Sequence, residues 1–379
     1  MYALTNCIIY TTEEILTNHA VVVEDDRISS VQPLSSLDPN IKKIDLEGAN
    51  LCPGFIDLQI NGCGGVMFNG DISEQTLEIM QSANLKSGTT SYLPTLITSS
   101  NDDMKKALSV ARQFMHKKSN EVLGLHLEGP FLSLAKKGIH RAEFVRQPEQ
   151  KMVDLICASA DVVTTITVAP ENVSSDVIKQ FIKAGINVSI GHSNATYEQA
   201  KLAIDSGATM ATHLFNAMSS IAGREPGMLG AIYDHNLYAG IIVDGFHVSY
   251  PNIRISKRLL GDKLMLVTDA TAPVNADIDQ FDFVGTSVYY KEGKCIGKDG
   301  TLGGSALTMI DAIKNSVHHV GIELVEAVRM ATLYPARAIA VDHKLGSIGL
   351  GKIANLTVFN DNYKVTATIV NGVLLYQSS

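Results

Sequence analysis

The sequence has little of what marks several protein classes. Five cysteines occur in 379 residues: Cys7, Cys52, Cys63, Cys157 and Cys295. Their number is odd and no two form a C-x-x-C pair. A disulfide framework and a cysteine-rich zinc site are therefore not expected, and a reducing compartment fits best. No stretch of about 18 apolar residues occurs, so no membrane span is expected. Met1 to Tyr10 lacks a basic segment followed by a long apolar run, so no signal peptide is expected. Lys and Arg number 31 against 39 Asp and Glu, a formal net charge of −8, with no basic cluster. A nucleic-acid partner is thereby disfavoured. No P-loop occurs, and no G-x-G-x-x-G follows the first central strand, so nucleotide folds lack support. There is no internal repeat or low-complexity tract. The expectation is a soluble, cytoplasmic protein with a small-molecule partner.

What is present is apolar sequence: 45% of residues are hydrophobic. A chain of this size and composition can bury one long α/β barrel with an accessory domain, or two or three average domains. Residues 1–50 read as short strands, Ala3–Ile9, Ala20–Glu24, Arg27–Val31 and Lys43–Asp45, between turn-like segments. The last forty residues look alike: Leu356–Asn360 and Val365–Val370, then an Asn371-Gly372 hairpin turn into Val373–Tyr376. The expectation is one small β-sandwich domain from residues 1–50 plus 341–379, around an inserted 51–340. That middle alternates eight β runs with helical patterns. The runs are Phe55–Ile60, Thr90–Thr95, Val122–Glu128, Val163–Ala169, Asn187–His192, Thr209–His213, Gly240–Asp244 and Lys263–Asp269. Ser73–Lys86, Asp102–His116, Ser175–Ala184 and Tyr197–Asp205 carry helical spacing, and Gly88, Gly185 and Gly207 are helix stops. This order suits a (β/α)8 TIM-like barrel. A doubly wound open sheet is the competing reading.

Polar residues fall at the ends of these runs. Gln59 lies near the end of the first run. Glu128, His192, His213 and Asp269 end the third, fifth, sixth and eighth. In a parallel barrel those ends share one rim, where active sites are built. A carboxylate and two imidazoles suit a divalent ion with a position left for water. Asp269, outside that set, is the candidate for moving protons. Taken singly, each residue reads more easily as a hydrogen-bonded scaffold group; five on one rim favour a site. Among the other histidines, His126 shares the face of Glu128 and reads as a core or supporting residue. His116, His318 and His319 fall on helices, and His19 and His343 near the β domain. His235 stays undecided.

Loops beyond the strand ends add Lys136-Lys137-Gly138-Ile139-His140, His213-Leu214-Phe215-Asn216-Ala217-Met218, Gly223-Arg224-Glu225-Pro226-Gly227 and Asp244-Gly245-Phe246-His247. The planar donor fork of Arg224 suits a phosphate. A surface salt bridge to Glu225 is an equal alternative.

Several strings resemble the N-acetylglucosamine-6-phosphate deacetylase family of the amidohydrolase superfamily. Pro53-Gly54-Phe55-Ile56-Asp57-Leu58-Gln59-Ile60-Asn61-Gly62 is similar to its opening barrel strand. His126-Leu127-Glu128-Gly129-Pro130, Gly191-His192-Ser193-Asn194-Ala195, Thr212-His213-Leu214-Phe215-Asn216-Ala217-Met218, Gly223-Arg224-Glu225-Pro226-Gly227 and Val267-Thr268-Asp269-Ala270 follow in the family's order. Ala331–Arg337 and Gly351–Leu356 match its C-terminal part. The resemblance implies that Glu128, His192 and His213 hold the metal and that Asp269 is the acid/base. It implies that His140 polarises the acetyl carbonyl and that Asn216, Ala217, Arg224 and His247 hold the phosphate, the Arg in some cases from a neighbouring subunit. It places the Leu302 region against the sugar. The implied reaction yields glucosamine 6-phosphate and acetate, and the implied assembly is a homodimer or homotetramer.

One departure matters. The superfamily often opens with His-x-His, which helps hold a second metal, where this chain reads Gln59-Ile60-Asn61. Neutral amides replace imidazoles poorly, so one divalent ion per subunit is expected. Gln59 marks a vestigial second-metal position. Zinc is the first choice, with iron, cobalt or nickel compatible. Two rivals remain: another amidohydrolase, either a cyclic amidase or an aminohydrolase, and a non-catalytic sugar-phosphate binding protein. No Lys ends a strand to bridge two metals as in many cyclic amidases, and the full set of polar rim residues speaks against mere binding.

Overall fold

Eight parallel strands of the computed structural model, which describes residues 1–378, form one sheet that curls round on itself. They are β1 (Phe55–Ile60), β2 (Thr89–Ile97), β3 (Leu125–Glu128), β4 (Val163–Val168), β5 (Asn187–Ile190), β6 (Met210–Ala211), β7 (Tyr238–Ile241) and β8 (Leu264–Leu266). Every residue of β1, β2, β3 and β8 is buried, as expected of parallel strands covered on both faces. Sequential strands pair in order from β1 to β8. Past the end of β8 the ring closes on β1. A parallel bridge joins Ile60 to Ala270, and the Asp269 N–H donates to the Gln59 carbonyl at 2.9 Å.

Helices between the strands start where their caps dictate. Ser73, Ser100 and Ser174 accept from the third residue of Glu74–Leu85, Asn101–Lys117 and Ser175–Ala184. Thr196 and Gln199 form a reciprocal capping box at the start of Tyr197–Asp205. Gly185 ends its helix in the left-handed region, as its place in the sequence predicts.

Two corrections follow. Of the rim residues expected to end strands, Glu128 does so, but the ladders of β5, β6 and β8 stop before His192, His213 and Asp269. Those three residues turn into the left-handed region, with φ of 47°, 30° and 50°, and a backbone there cannot continue a β ladder. The second correction is an unforeseen sheet. Gln280–Phe283, Thr286–Lys291, Lys294–Gly297 and Leu302–Ser305 form an antiparallel meander. Its first two turns are Val284-Gly285 and Glu292-Gly293, with positive φ at all four residues, the hairpin geometry that matches strand twist.

Both chain ends build two further sheets. One orders Arg27–Pro33, His19–Glu24, Tyr2–Thr5 and Lys43–Asp45; the other orders Val373–Gln377, Val365–Val370, Leu356–Phe359, Asn50–Pro53, Ile8–Tyr10 and Ile15–Leu16. Leu4, Val21, Val23 and Ile28 of the first pack with Leu51, Leu356, Val358 and Ile369 of the second. No helix among the described residues is long and apolar enough to cross a membrane.

Candidate active site

At the C-terminal rim of the barrel, three side chains at or just beyond the ends of three strands meet. His192 Nε2 lies 3.1 Å from Glu128 Oε1, His213 Nε2 lies 3.0 Å from the same oxygen, and the two Nε2 atoms are 2.9 Å apart. All three residues are buried. His192 Nδ1 lies 2.8 Å from the Lys136 carbonyl. Only an N–H can bond a carbonyl, so the proton sits on Nδ1 and the Nε2 lone pair points into the cluster. Two imidazole nitrogens at 2.9 Å beside a carboxylate need a proton or a cation between them. Donors on a tetrahedral ion at about 2.1 Å stand roughly 3.4 Å apart, so this trio fits a small divalent cation. His213 Nδ1 has no hydrogen-bond partner among the described residues.

A second trio overlaps the first. Glu128, His140 and His192 offer ligand atoms within 4.8 Å of one another. His140 stacks on His192 at 4.4 Å between ring centres. Its Nδ1 faces the Thr98 hydroxyl at 2.8 Å and accepts from the Thr98 N–H at 3.3 Å. An accepting Nδ1 puts the proton on Nε2, which makes His140 a donor rather than a ligand.

Burial raises the proton affinity of Glu128, but the His192 and His213 rings beside it outweigh this and hold the carboxyl well below its usual range. Asp269 behaves oppositely. Burial first, then the Glu128 charge, pushes it up to about 7. Asn61 Nδ2 donates to Asp269 at 2.7 Å. Gln59 Nε2 donates to both carboxylates, at 3.1 Å to Glu128 and 3.3 Å to Asp269. The amide in the expected second-metal position thus bridges the two acids by hydrogen bonds. Burial, then the charge of His192, holds His140 well below its usual value, and burial pushes His126 down to about 4. His126 lies between Thr95 and Thr167 inside the barrel, the supporting place expected of it.

A cavity of about 360 Å³ opens over this cluster, the size of a small-molecule site. His140, Asn216, Ala217, His247 and Leu302 line it beside Glu128, His192, His213 and Asp269. Leu302 arrives on the unforeseen meander, whose Phe283 also faces the cavity. His247 Nδ1 lies 2.6 Å from Asp244 Oδ2. Burial raises the Asp244 pKa, but this bond to His247 brings it below the ordinary value. Clefts of about 510 and 420 Å³ lie elsewhere, the second within the terminal sheets, but no histidine lines either one.

Arg224 is the predicted residue that the fold does not bring in. It is exposed, lies outside the cavity lining, and forms no ion pair among the described residues. The salt bridge to Glu225 is also absent, because Glu225 accepts from the backbone of Tyr197 and Gly227 instead. Sequence reasoning missed Thr98, which holds His140, and Asp57, which bonds Thr268, the residue before Asp269. The Asp57 signal was present: a carboxylate inside an apolar strand, two residues before Gln59 and therefore on its face.

Comparison with known proteins agrees with this geometry. Residues 50–375 match the model of the amidohydrolase family, and residues 1–51 match the NagA composite domain. The chain belongs to the amidohydrolase family. Within it, the chain is 53% identical to the N-acetylglucosamine-6-phosphate deacetylase of Haemophilus influenzae, over 98% of each chain. It is 38% identical to the N-acetylgalactosamine-6-phosphate deacetylase of a Shewanella species, over 97% of this chain and 94% of the other. The crystal structure of N-acetylglucosamine-6-phosphate deacetylase from Pasteurella multocida superposes with a TM-score of 0.98, at 55% identity and full coverage of both chains. The barrel and terminal sheets are thus those of a metal-dependent amidohydrolase.

Proposed function

We propose that this amidohydrolase cleaves the acetamide of N-acetylglucosamine 6-phosphate, releasing acetate and glucosamine 6-phosphate. The observation that carries the proposal is the buried Glu128–His192–His213 cluster beside Asp269, a carboxyl raised to about 7. Glu128, His192 and His213 would hold one divalent ion, zinc by preference. The proton placed on His140 Nε2 favours this trio over the one containing His140. A bound ion supplies water activation near neutral pH and polarisation of a carbonyl.

Asp269 takes the proton from the attacking water as the new C–O bond forms. It then gives that proton to the nitrogen as the C–N bond breaks, so one carboxyl serves both steps. Gln59 and Asn61 aim it by their hydrogen bonds. His140 Nε2–H donates to the carbonyl oxygen as charge develops there. Asn216, Ala217 and His247 engage the phosphate, and Leu302 packs on the sugar. Remote binding of the phosphate positions the amide. Arg224 completes the phosphate site from a neighbouring subunit of a homodimer or homotetramer, which accounts for its exposure here.

All five cysteines are free, which suits a cytoplasmic protein. The β-sandwich domain is read as residues 1–50 with 341–379; Leu356–Phe359 pairs with Asn50–Pro53 across the two ends, a strand that runs three residues past 50.

The deciding assay measures acetate release by zinc-loaded protein from N-acetylglucosamine 6-phosphate, from the unphosphorylated sugar and from the galacto epimer. The proposal expects highest kcat/KM on the first. The Shewanella relative motivates the second reading, which a preference for the galacto epimer would establish. Ammonia without acetate would point to an aminohydrolase, and binding without turnover to a binding protein.

A further inference from the structure

Asp57 is a buried carboxylate that touches neither the cavity nor the cluster, yet it is tied to both neighbours of the reaction centre. It lies on β1, 1% exposed. Its Oδ1 accepts from the Gln59 N–H at 3.2 Å and from the Thr268 N–H at 3.3 Å. Its Oδ2 accepts a short hydrogen bond from the Thr268 hydroxyl. One side chain therefore grips the residue before Asp269 and the backbone of Gln59, across the seam where the barrel closes.

The region it grips is strained. Asp269 sits at φ 50°, a left-handed conformation that a non-glycine residue keeps only where surrounding bonds over-determine it. Those bonds can be counted out from Thr268. Its hydroxyl accepts from the Ala270 N–H at 3.1 Å, and its carbonyl accepts from the Ser305 hydroxyl at 2.6 Å. The Asp269 N–H donates to the Gln59 carbonyl at 2.9 Å, and its carbonyl accepts from the Ser305 N–H at 2.8 Å. Thr268 is 3% exposed and Ser305 1%. Asp57 is bonded to this frame at Thr268 and Gln59, and among the described residues it forms no ion pair. Burial pushes its carboxyl up to about 7, against the hydrogen bonds from Thr268 and Gln59 that lower it, so these donors only partly offset the cost of burying the acid.

We infer that Asp57, acting through Thr268, is a positioning residue that holds Asp269 in its left-handed conformation and so aims its carboxylate at the reacting atoms. The inference rests on the acid–base reading of Asp269. It accounts for a buried acid in the first strand that the chemistry itself does not use. It also explains why Thr, with a hydroxyl that both donates and accepts, precedes Asp269.

The test uses the full-length, zinc-loaded enzyme and the acetate assay on N-acetylglucosamine 6-phosphate. Thr268→Val keeps the side-chain shape and removes the hydroxyl; Thr268→Ser keeps the hydroxyl; Asp57→Asn keeps the size and removes the charge. Displacement of Asp269 by about 1 Å is expected to lower kcat by about 100-fold in Thr268→Val and Asp57→Asn. KM should stay within about twofold, because the lost interaction is made in the transition state. Thr268→Ser should recover most of the loss. Thermal melting reports which variants are folded, and Thr268→Val carries the test if Asp57→Asn does not fold. Wild-type kcat in folded Thr268→Val, or a Thr268→Ser variant no better than Thr268→Val, overturns the inference. Asp269→Asn runs in the same assay: if it is silent while Thr268→Val is normal, this inference falls alone, and if it turns over normally, the acid–base reading falls and takes the inference with it.

Discussion

Replacing Asp269 by Asn should abolish turnover and at the same time stabilise the metal-free protein at alkaline pH. The reason is the position of the carboxyl. Its pKa rises from 3.8 to about 7 because of burial and the nearby Glu128 charge. The sign follows from linkage. A carboxyl whose folded pKa exceeds its unfolded value stabilises the fold most below the unfolded pKa. That contribution is lost as pH rises from about 4 through about 7, and above this range the folded protein carries a buried charge at a cost. Moving a carboxyl over that interval corresponds to roughly 4 kcal/mol. Asn keeps an oxygen for the Asn61 and Gln59 donors and carries no charge. For a chain of this length the unfolding entropy is on the order of 0.8 kcal/mol/K, so the gain appears as about 5 °C in Tm. The assay is thermal melting of chelator-treated wild type and Asp269→Asn at pH 8 and at pH 4. The expected result is a higher Tm for the variant at pH 8 and little difference at pH 4. No gain at pH 8, or an equal gain at both pH values, would refute the reasoning that the site stores an electrostatic cost.

Three other outcomes are expected. Chelation should remove acetate release, and zinc should restore it; full activity in metal-free protein would dismiss the role given to Glu128, His192 and His213. Thr98→Val removes the hydroxyl 2.8 Å from His140 Nδ1 and should lower kcat by about 10-fold, with unchanged kcat showing that His140 needs no such support. Arg224→Ala should raise KM for the phosphorylated sugar far more than for the unphosphorylated one. Mixing it with Asp269→Asn should regenerate activity in mixed oligomers if the arginine acts across an interface, and none appears if it acts within its own subunit.

The barrel was legible because its signals are local. Each of the eight strands overlaps a run visible as apolar sequence, and four of the helices begin at Ser or Thr caps that any reader can find. The meander over residues 280–305 was overlooked because its strands are short and its turns, Val284-Gly285 and Glu292-Gly293, are less familiar than Asn-Gly. With it went any reading of how Leu302 and Phe283 reach the cavity. The fold brings the rim residues together, but their backbone differs from the one expected. Extended strands were expected up to His192, His213 and Asp269, and the chain instead turns left-handed at each.

By itself the sequence determined which chemical groups are available: one glutamate, two histidines and an aspartate, each at or just past the end of a buried run, with a glutamine on the first strand. Periodicity and capping are encoded within a few residues, so the order of barrel strands follows from the chain alone. Only the tertiary structure decided that Glu128 and the two Nε2 atoms stand about 3 Å apart, that Gln59 bridges two acids, and that Arg224 stays outside. These are contacts between residues up to 210 positions apart. Their distances and proton affinities arise from burial and mutual charge, which exist only after the barrel has closed.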